Sequence, residues 1–219
     1  MNTRTLQVTV VPVTPIGQNC SILTHTPSKT AVVVDPGGDV PRILDAIAKL
    51  GVKVEAIWLT HGHIDHAGGA AELKEALGGI PVLGPDKRDK YLLDTLPEKG
   101  REFGMLTARA VTPDRWLAEG EKLTLGDLEF SILHVPGHTP GSLVYFNDAH
   151  RFALVGDTLF KGSVGRTDFP KGDHEALVAA IRGKVLTLGD DVTFLCGHGP
   201  QGTIGQERKT NPYVGSART

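Results

Sequence analysis

The amino-acid sequence predicts an α/β fold, with two mixed β-sheets packed face to face and helices on the outer faces. Three observations carry this. Strand-like segments come first, then strands alternate with helices, then strands return and alternation resumes, so the chain reads as two halves of similar build. Several strands are short and wholly apolar, as in Ala31–Val34, which suits strands covered on both faces. The 219 residues, 40% hydrophobic and 22% charged, suffice for a large core in one domain spanning 1–219.

Leu6–Val13 is rich in β-branched residues and reads as the first strand, and Asn19–Thr24 as the second. Ala31–Val34 is the third and stops at the turn Asp35-Pro36-Gly37-Gly38. A helix follows, with Asp39 as its cap, Pro41 in its first turn, Ile43, Leu44, Ile47 and Leu50 on one face, and Gly51 at its end. Ala56–Thr60 is a buried strand that runs straight into His61–His66. A helix over 68–77 places Ala70, Leu73, Ala76 and Leu77 on one side. Residues 86–96 suggest a short helix, and 99–114 look irregular. Gly126-Asp127 is a hairpin turn between Lys122–Leu125 and Leu128–Val135, and Leu143–Phe146 pairs with Arg151–Val155. Asp173 caps a helix running to Arg182, and Val192–Leu195 is the last strand.

Composition narrows the function classes. Twenty-three basic and 25 acidic residues leave a net charge of −2 and a pI near 6.5, which is no footprint for a nucleic-acid partner. Apolar runs such as Leu177–Ile181 fall far short of the roughly 20 residues that span a membrane. The N-terminus has no unbroken apolar stretch or cleavage site, so the cytoplasm is the expected compartment. Cys20 and Cys196 form no CxxC motif and imply no disulfide framework. A small-molecule partner is expected, and the oligomeric state is not encoded.

The nine histidines are the informative feature. His61, His63, Asp65 and His66 fall within six residues, between an apolar strand and a Gly-rich helix start. A polar loop would explain one or two such residues, not four. Imidazoles and carboxylates suit zinc, iron or manganese. His61 and His63 can face one metal, and Asp65 and His66 another. His138, Asp157 and His198 each follow an apolar strand in a Gly-rich turn. Each alone is a turn residue or a ligand, and their recurrence beside the quartet favours ligands.

Thr60-His61-Gly62-His63-Ile64-Asp65-His66 with Gly68-Gly69 resembles the THxHxDHxGG signature of the metallo-β-lactamase fold. Pro136–Ser142, Gly156–Phe160 and Gly197–Pro200 resemble its later ligand motifs, and Val34–Gly38 its first, so the resemblance runs from about residue 7 to 213. It implies an αββα sandwich. Thr112–Leu117, Gly165–Pro170 and Glu207–Pro212 are similar to the glyoxalase II branch, the hydroxyacylglutathione hydrolases, in their short bacterial type II form.

That resemblance implies two divalent metal ions, zinc ahead of iron or manganese. His61, His63 and His138 would hold the first, Asp65, His66 and His198 the second, and Asp157 would bridge them. Asp35 would have no ligand role, only a supporting or turn role. The implied reaction is hydrolysis of S-D-lactoylglutathione to glutathione and a 2-hydroxy acid by a metal-bridged hydroxide, a methylglyoxal-detoxification step, with Asp65, His138 and Asp157 catalytic. A thiol has a pKa of about 8.5, so the leaving group needs no strong general acid. Longer members of the branch contact glutathione through a helical C-terminal domain. Only 21 residues follow His198, so that domain is not expected here. Lys161 and Arg166 are candidate contacts for a substrate carboxylate, with solvated loop charges as the plain alternative.

The nearest rival is a persulfide dioxygenase of the same fold, with one iron on His61, His138 and Asp157, which Gly165–Phe169 also fits. A lactonase-like hydrolase, a β-lactamase and a metal-binding module without turnover rank below it. His134 reads as a core-edge residue, and His25, His150 and His174 as surface or turn residues. Cys196 reads as a buried thiol, and Trp58 and Trp116 as packing residues.

Overall fold

The computed structural model describes residues 5–216. β1 (Leu6–Val13), β2 (Gln18–His25), β3 (Thr30–Val34), β4 (Lys53–Trp58) and β5 (Val82–Leu83) form one sheet in that order, the first three antiparallel and the last three parallel. A six-stranded sheet holds β6 (Lys122–Leu125), β7 (Leu128–His134), β8 (Leu143–Asn147), β9 (Phe152–Gly156), β12 (Thr193–Cys196) and β13 (Gly202–Thr203). There β9 and β12 are parallel, while β6 to β9 run antiparallel in sequence. β10 (Leu159–Phe160) and β11 (Ser163–Val164) form a small hairpin apart.

The helices lie where the apolar faces need cover. α1 (Val40–Leu50), α3 (Ala70–Ala76), α4 (Lys90–Asp94) and α5 (Leu96–Glu102) pack Ile43, Ile47, Leu73, Leu93 and Leu96 on the outer face of the first sheet. α6 (His174–Ala180) and α7 (Ile204–Thr210) bring Leu177 and Ile204 to the outer face of the second. Between the sheets sits a third apolar layer that includes Val32, Val34, Trp58, Phe130 and Tyr145. β3 shows the period-2 logic: Ala31 and Val33 face the helices, Val32 and Val34 the partner sheet. Both faces are covered, so its sequence carries no polar alternation. Trp58 is almost fully buried against Phe130 and Tyr145, and Trp116 packs at the edge of the helix-side core.

Several local expectations change. Asp39 stands before α1 but gives no side-chain cap; its φ is 48° and its carboxylate accepts from Thr14 N–H at 2.8 Å. The helix expected over 68–77 is α3 alone, and a separate short helix, α2 (Ile64–Ala67), precedes it and carries Asp65 and His66. α5 occupies part of the stretch that reads as irregular. Val192–Leu195 is not the last strand, since β13 and α7 follow β12. His25 is buried rather than on the surface, because the β6–β7 turn closes over it and Asp127 Oδ1 lies 2.8 Å from its Nε2. Asp173 caps α6 as expected, accepting from Ala176 N–H at 2.9 Å.

Candidate metal centre

The site follows from strand direction. β7, β9 and β12 all run the same way, so their C-terminal ends share one edge of the six-stranded sheet. His138, Asp157 and His198 lie in the loops that leave those three ends. From the other sheet, β4 ends at Trp58 and delivers His61 and His63, then α2 carries Asp65 and His66.

The seven side chains meet as two groups. Ligand atoms of His61, His63 and His138 lie within 4.8 Å of one another, as do those of Asp65, His66, Asp157 and His198. Asp157 reaches across both, with Oδ1 3.2 Å from His66 Nε2 and Oδ2 3.5 and 3.7 Å from Nε2 of His198 and His138. His198 Nε2 lies 3.0 Å from Asp65 Oδ2.

Outer partners fix which ring nitrogen points inward. His66 Nδ1 donates to Asp35 Oδ2 at 2.9 Å, and His138 Nδ1 donates to the Arg166 carbonyl at 2.8 Å. The Thr60 hydroxyl donates to Asp35 Oδ2 at 2.6 Å, so it accepts from His61 Nδ1 at 3.1 Å. In all three rings Nε2 is left facing the cluster. Asp35, with φ 52°, also accepts from Thr60 N–H at 2.7 Å, so one buried carboxylate anchors both ends of the first ligand loop, at Thr60 and His66.

The donor set fits divalent cations. His61 Nε2 is buried without a hydrogen-bond partner among the described residues, and His66 Nε2 and Asp157 Oδ1 are buried against each other at 3.2 Å, an arrangement that a cation would satisfy. His63 Nδ1 and His138 Nε2 stand 2.9 Å apart, close enough to share one proton or one cation. Burial, helped by the nearby His138, lowers His63 to about 3, and burial also lowers His61 and His138, so these rings present neutral nitrogens. Burial alone would raise Asp65 and Asp157, but the surrounding imidazoles, His66 first, hold both below their ordinary range. His66 is itself raised, because Asp157, Asp65 and Asp35 outweigh its burial, so cation binding there releases a proton.

Two phenylalanines flank the cluster. Phe169 packs on His63 and His138 with ring centroids 5.0 and 5.6 Å away, and Phe160 approaches His198 at 6.5 Å. The sequence marks both only through the motifs that contain them, Gly165–Pro170 and Gly156–Phe160. Lys161 is exposed at the tip of the β10–β11 hairpin, which buried Glu207 holds by accepting from Gly162 N–H at 2.8 Å. The Arg166 guanidinium forms a two-armed ion pair with Asp168 at 2.8 and 3.0 Å and stacks 4.7 Å from the Phe169 ring centre. The Cys196 thiol is buried and donates to the His198 carbonyl at 2.9 Å. Asp35 is bonded to Thr60 and His66 and itself lies within ligand distance of His61 and His66, whereas His134 is half-buried and bonded to the Pro140 carbonyl.

One buried carboxyl near the cluster carries a pH signature. Burial pushes Asp89 up to about 6, against the pull of hydrogen bonds from Thr139, Gly62 and Gly141. Its folded pKa lies above its unfolded one, so its stabilising contribution is complete below about pH 4 and is lost as the pH rises through about 6. In metal-free protein, the unfolding free energy of the wild type relative to Asp89→Asn should therefore fall by up to about 3 kcal/mol between pH 4 and 7. Urea titrations of both proteins across that range measure it.

A sandwich whose strand-end loops converge histidines and aspartates into cation-ready groups defines a metallohydrolase. The chain belongs to the metallo-beta-lactamase superfamily, whose family model matches residues 13–198. It is 43% identical to hydroxyacylglutathione hydrolase GloC of Haemophilus influenzae, over 96% of this chain and 99% of that protein. Two solved structures, each 35% identical, superpose closely. One, described as BLEG-1 B3 metallo-beta-lactamase, has a TM-score of 0.87 and covers 95% of this chain and 99% of its own. The other, described as TTHA1623 in a di-iron-bound form, has a TM-score of 0.84 and covers 94% and 100%. No helix among the described residues is long and apolar enough to cross a membrane.

Proposed function

We propose that the chain is a thioester hydrolase acting on hydroxyacylglutathione, with S-D-lactoylglutathione as its substrate. The observation that carries the hydrolytic reading is Asp157 reaching both ligand groups at once. The near full-length similarity to a protein named as a hydroxyacylglutathione hydrolase supports the substrate. His61, His63 and His138 would hold one divalent ion, Asp65, His66 and His198 a second, and Asp157 would serve both. Zinc is the first candidate, while the di-iron-bound neighbour keeps iron in the test. Ions bound there would lower the pKa of coordinated water toward neutrality and polarise a carbonyl oxygen.

The chain's own groups do the rest. Asp65, held ionised by His66 and His198, would accept a hydrogen bond from an attacking water and orient it. Phe160 and Phe169 wall the approach and exclude bulk water from the reacting carbonyl, which strengthens the electrostatics inside. Lys161 is the free-standing candidate for a substrate carboxylate. Arg166 would have to leave Asp168 to play that part, so its contribution is expected to be the smaller.

The test is loss of thioester absorbance with S-D-lactoylglutathione, with metals quantified in the same sample. The expected result is rapid hydrolysis, abolished by a chelator and restored by added metal, with close to two ions per chain. Oxygen uptake with glutathione persulfide, or turnover of a β-lactam in place of the thioester, would overturn the substrate reading and leave the family standing.

A further inference from the structure

We propose that Asp89 is a positioning residue for the candidate metal centre: its carboxylate ties the loop of His61 and His63 to the loop of His138. Asp89 is fully buried at the start of α4 and touches no ligand itself. Its Oδ2 accepts from Gly62 N–H at 2.9 Å, and Gly62 lies between the two histidines. The same oxygen accepts from the Thr139 hydroxyl at 2.7 Å, one residue past His138. Oδ1 accepts from Gly141 N–H at 2.6 Å. One side chain thus bridges loops delivered by different sheets, at the point where His63 Nδ1 and His138 Nε2 must stand close together.

The chemistry requires a carboxylate. Three donors converge on it, and a carboxylate offers acceptors on both oxygens, whereas an asparagine amide would turn an N–H₂ toward at least one of them. Among the described residues no ion pair reaches Asp89, so its charge is balanced by those donors alone. A buried, unpaired carboxylate is a poor choice for stability. The surroundings are closed around it. A Cβ on Gly141 would lie 2.6 Å from the Asp89 carboxyl, and one on Gly62 would lie 2.8 Å from Leu92 Cβ. Neither loop can shift without breaking the tie.

This inference rests on the reading that the three histidines hold an ion, and the experiment separates the two. Metal-free wild type, Asp89→Asn and Thr139→Val are equilibrated with Co²⁺ at neutral pH, and occupancy is read by equilibrium dialysis and visible absorption. Leu125→Ala, a core truncation in β6, controls for lost stability. The expected result is that Asp89→Asn weakens one of two ions by about 10-fold or more, as loss of an outer support does. Thr139→Val should weaken the same ion less, and Leu125→Ala should leave both unchanged. Affinities within twofold of wild type in Asp89→Asn, or an equal loss in Leu125→Ala, would overturn the assignment. If Asp89→Asn does not fold, Thr139→Val decides, and an unchanged affinity there overturns it. A wild type that binds no Co²⁺ fails the metal reading itself and takes this one with it.

Discussion

Asp157→Ala is expected to cut thioester hydrolysis by about 10³-fold or more, equivalent to about 4 kcal/mol of transition-state stabilisation, and to lower metal content well below two ions per chain. The reason is position. Among the described residues, Asp157 is the one carboxylate within 3.7 Å of Nε2 of His66, His138 and His198 together. Its removal takes a negative charge from the centre of the cluster and leaves His66 with fewer carboxylates facing it. His198 makes the useful contrast. Its side chain is 27% exposed against 11% for Asp157, so water can enter where its nitrogen was. His198→Ala should therefore lose less activity and recover more of it in excess metal. The two variants are compared by kcat/KM, metal per chain and circular dichroism. Equal losses, or an Asp157→Ala protein within tenfold of wild type, would show that the carboxylate is not shared.

The sequence exposes the cluster because each member obeys a local rule. His61, His138, Asp157 and His198 stand just past apolar strands in Gly-rich turns, and neither signal needs knowledge of the far side of the molecule. The two-sheet architecture is legible for the same reason, since β3 is apolar on both faces. What escapes is whatever long-range contacts decide. Asp39 has the right residue type for a cap, yet its carboxylate bonds Thr14, 25 residues earlier in the chain. Asp89 sits in a weak helical stretch, and its donors are 27, 50 and 52 residues away. His25 has turn residues after it and reads as exposed, but the β6–β7 hairpin buries it. Arg166 reads as a candidate contact for a substrate carboxylate or a solvated loop charge, and its guanidinium pairs with Asp168, two residues on.

A single methyl group beside the Asp157 carboxylate should also be damaging, though less so than losing the carboxylate. Gly197 follows β12 directly, and a Cβ there would overlap Asp157 Oδ1 and His66 Cε1. The backbone cannot withdraw to make room. Gly197 N–H donates to the Gly156 carbonyl of β9 at 2.9 Å, while its own carbonyl accepts from Asn19 N–H of β2 in the other sheet at 2.8 Å, so both sheets hold it. The added carbon therefore has to displace the carboxylate or the imidazole, two groups whose placement sets the ligand geometry. A misplacement of about 1 Å at a reacting centre costs about 10²-fold, so Gly197→Ala should fall by that factor while keeping its fold. Gly162→Ala is the control. Gly162 has a φ of 73° with open space where its Cβ would lie, so alanine there meets backbone strain of about 1–2 kcal/mol but no steric clash. Metal content and kcat/KM of the two variants, read beside their melting temperatures, separate crowding at the cluster from strain in a turn. Gly162→Ala should lose stability and keep its metal, and Gly197→Ala should lose metal out of proportion to any loss of stability. If both lose metal in step with stability, the close approach of Gly197 to Asp157 has no functional weight and the turn conformation alone shapes the site.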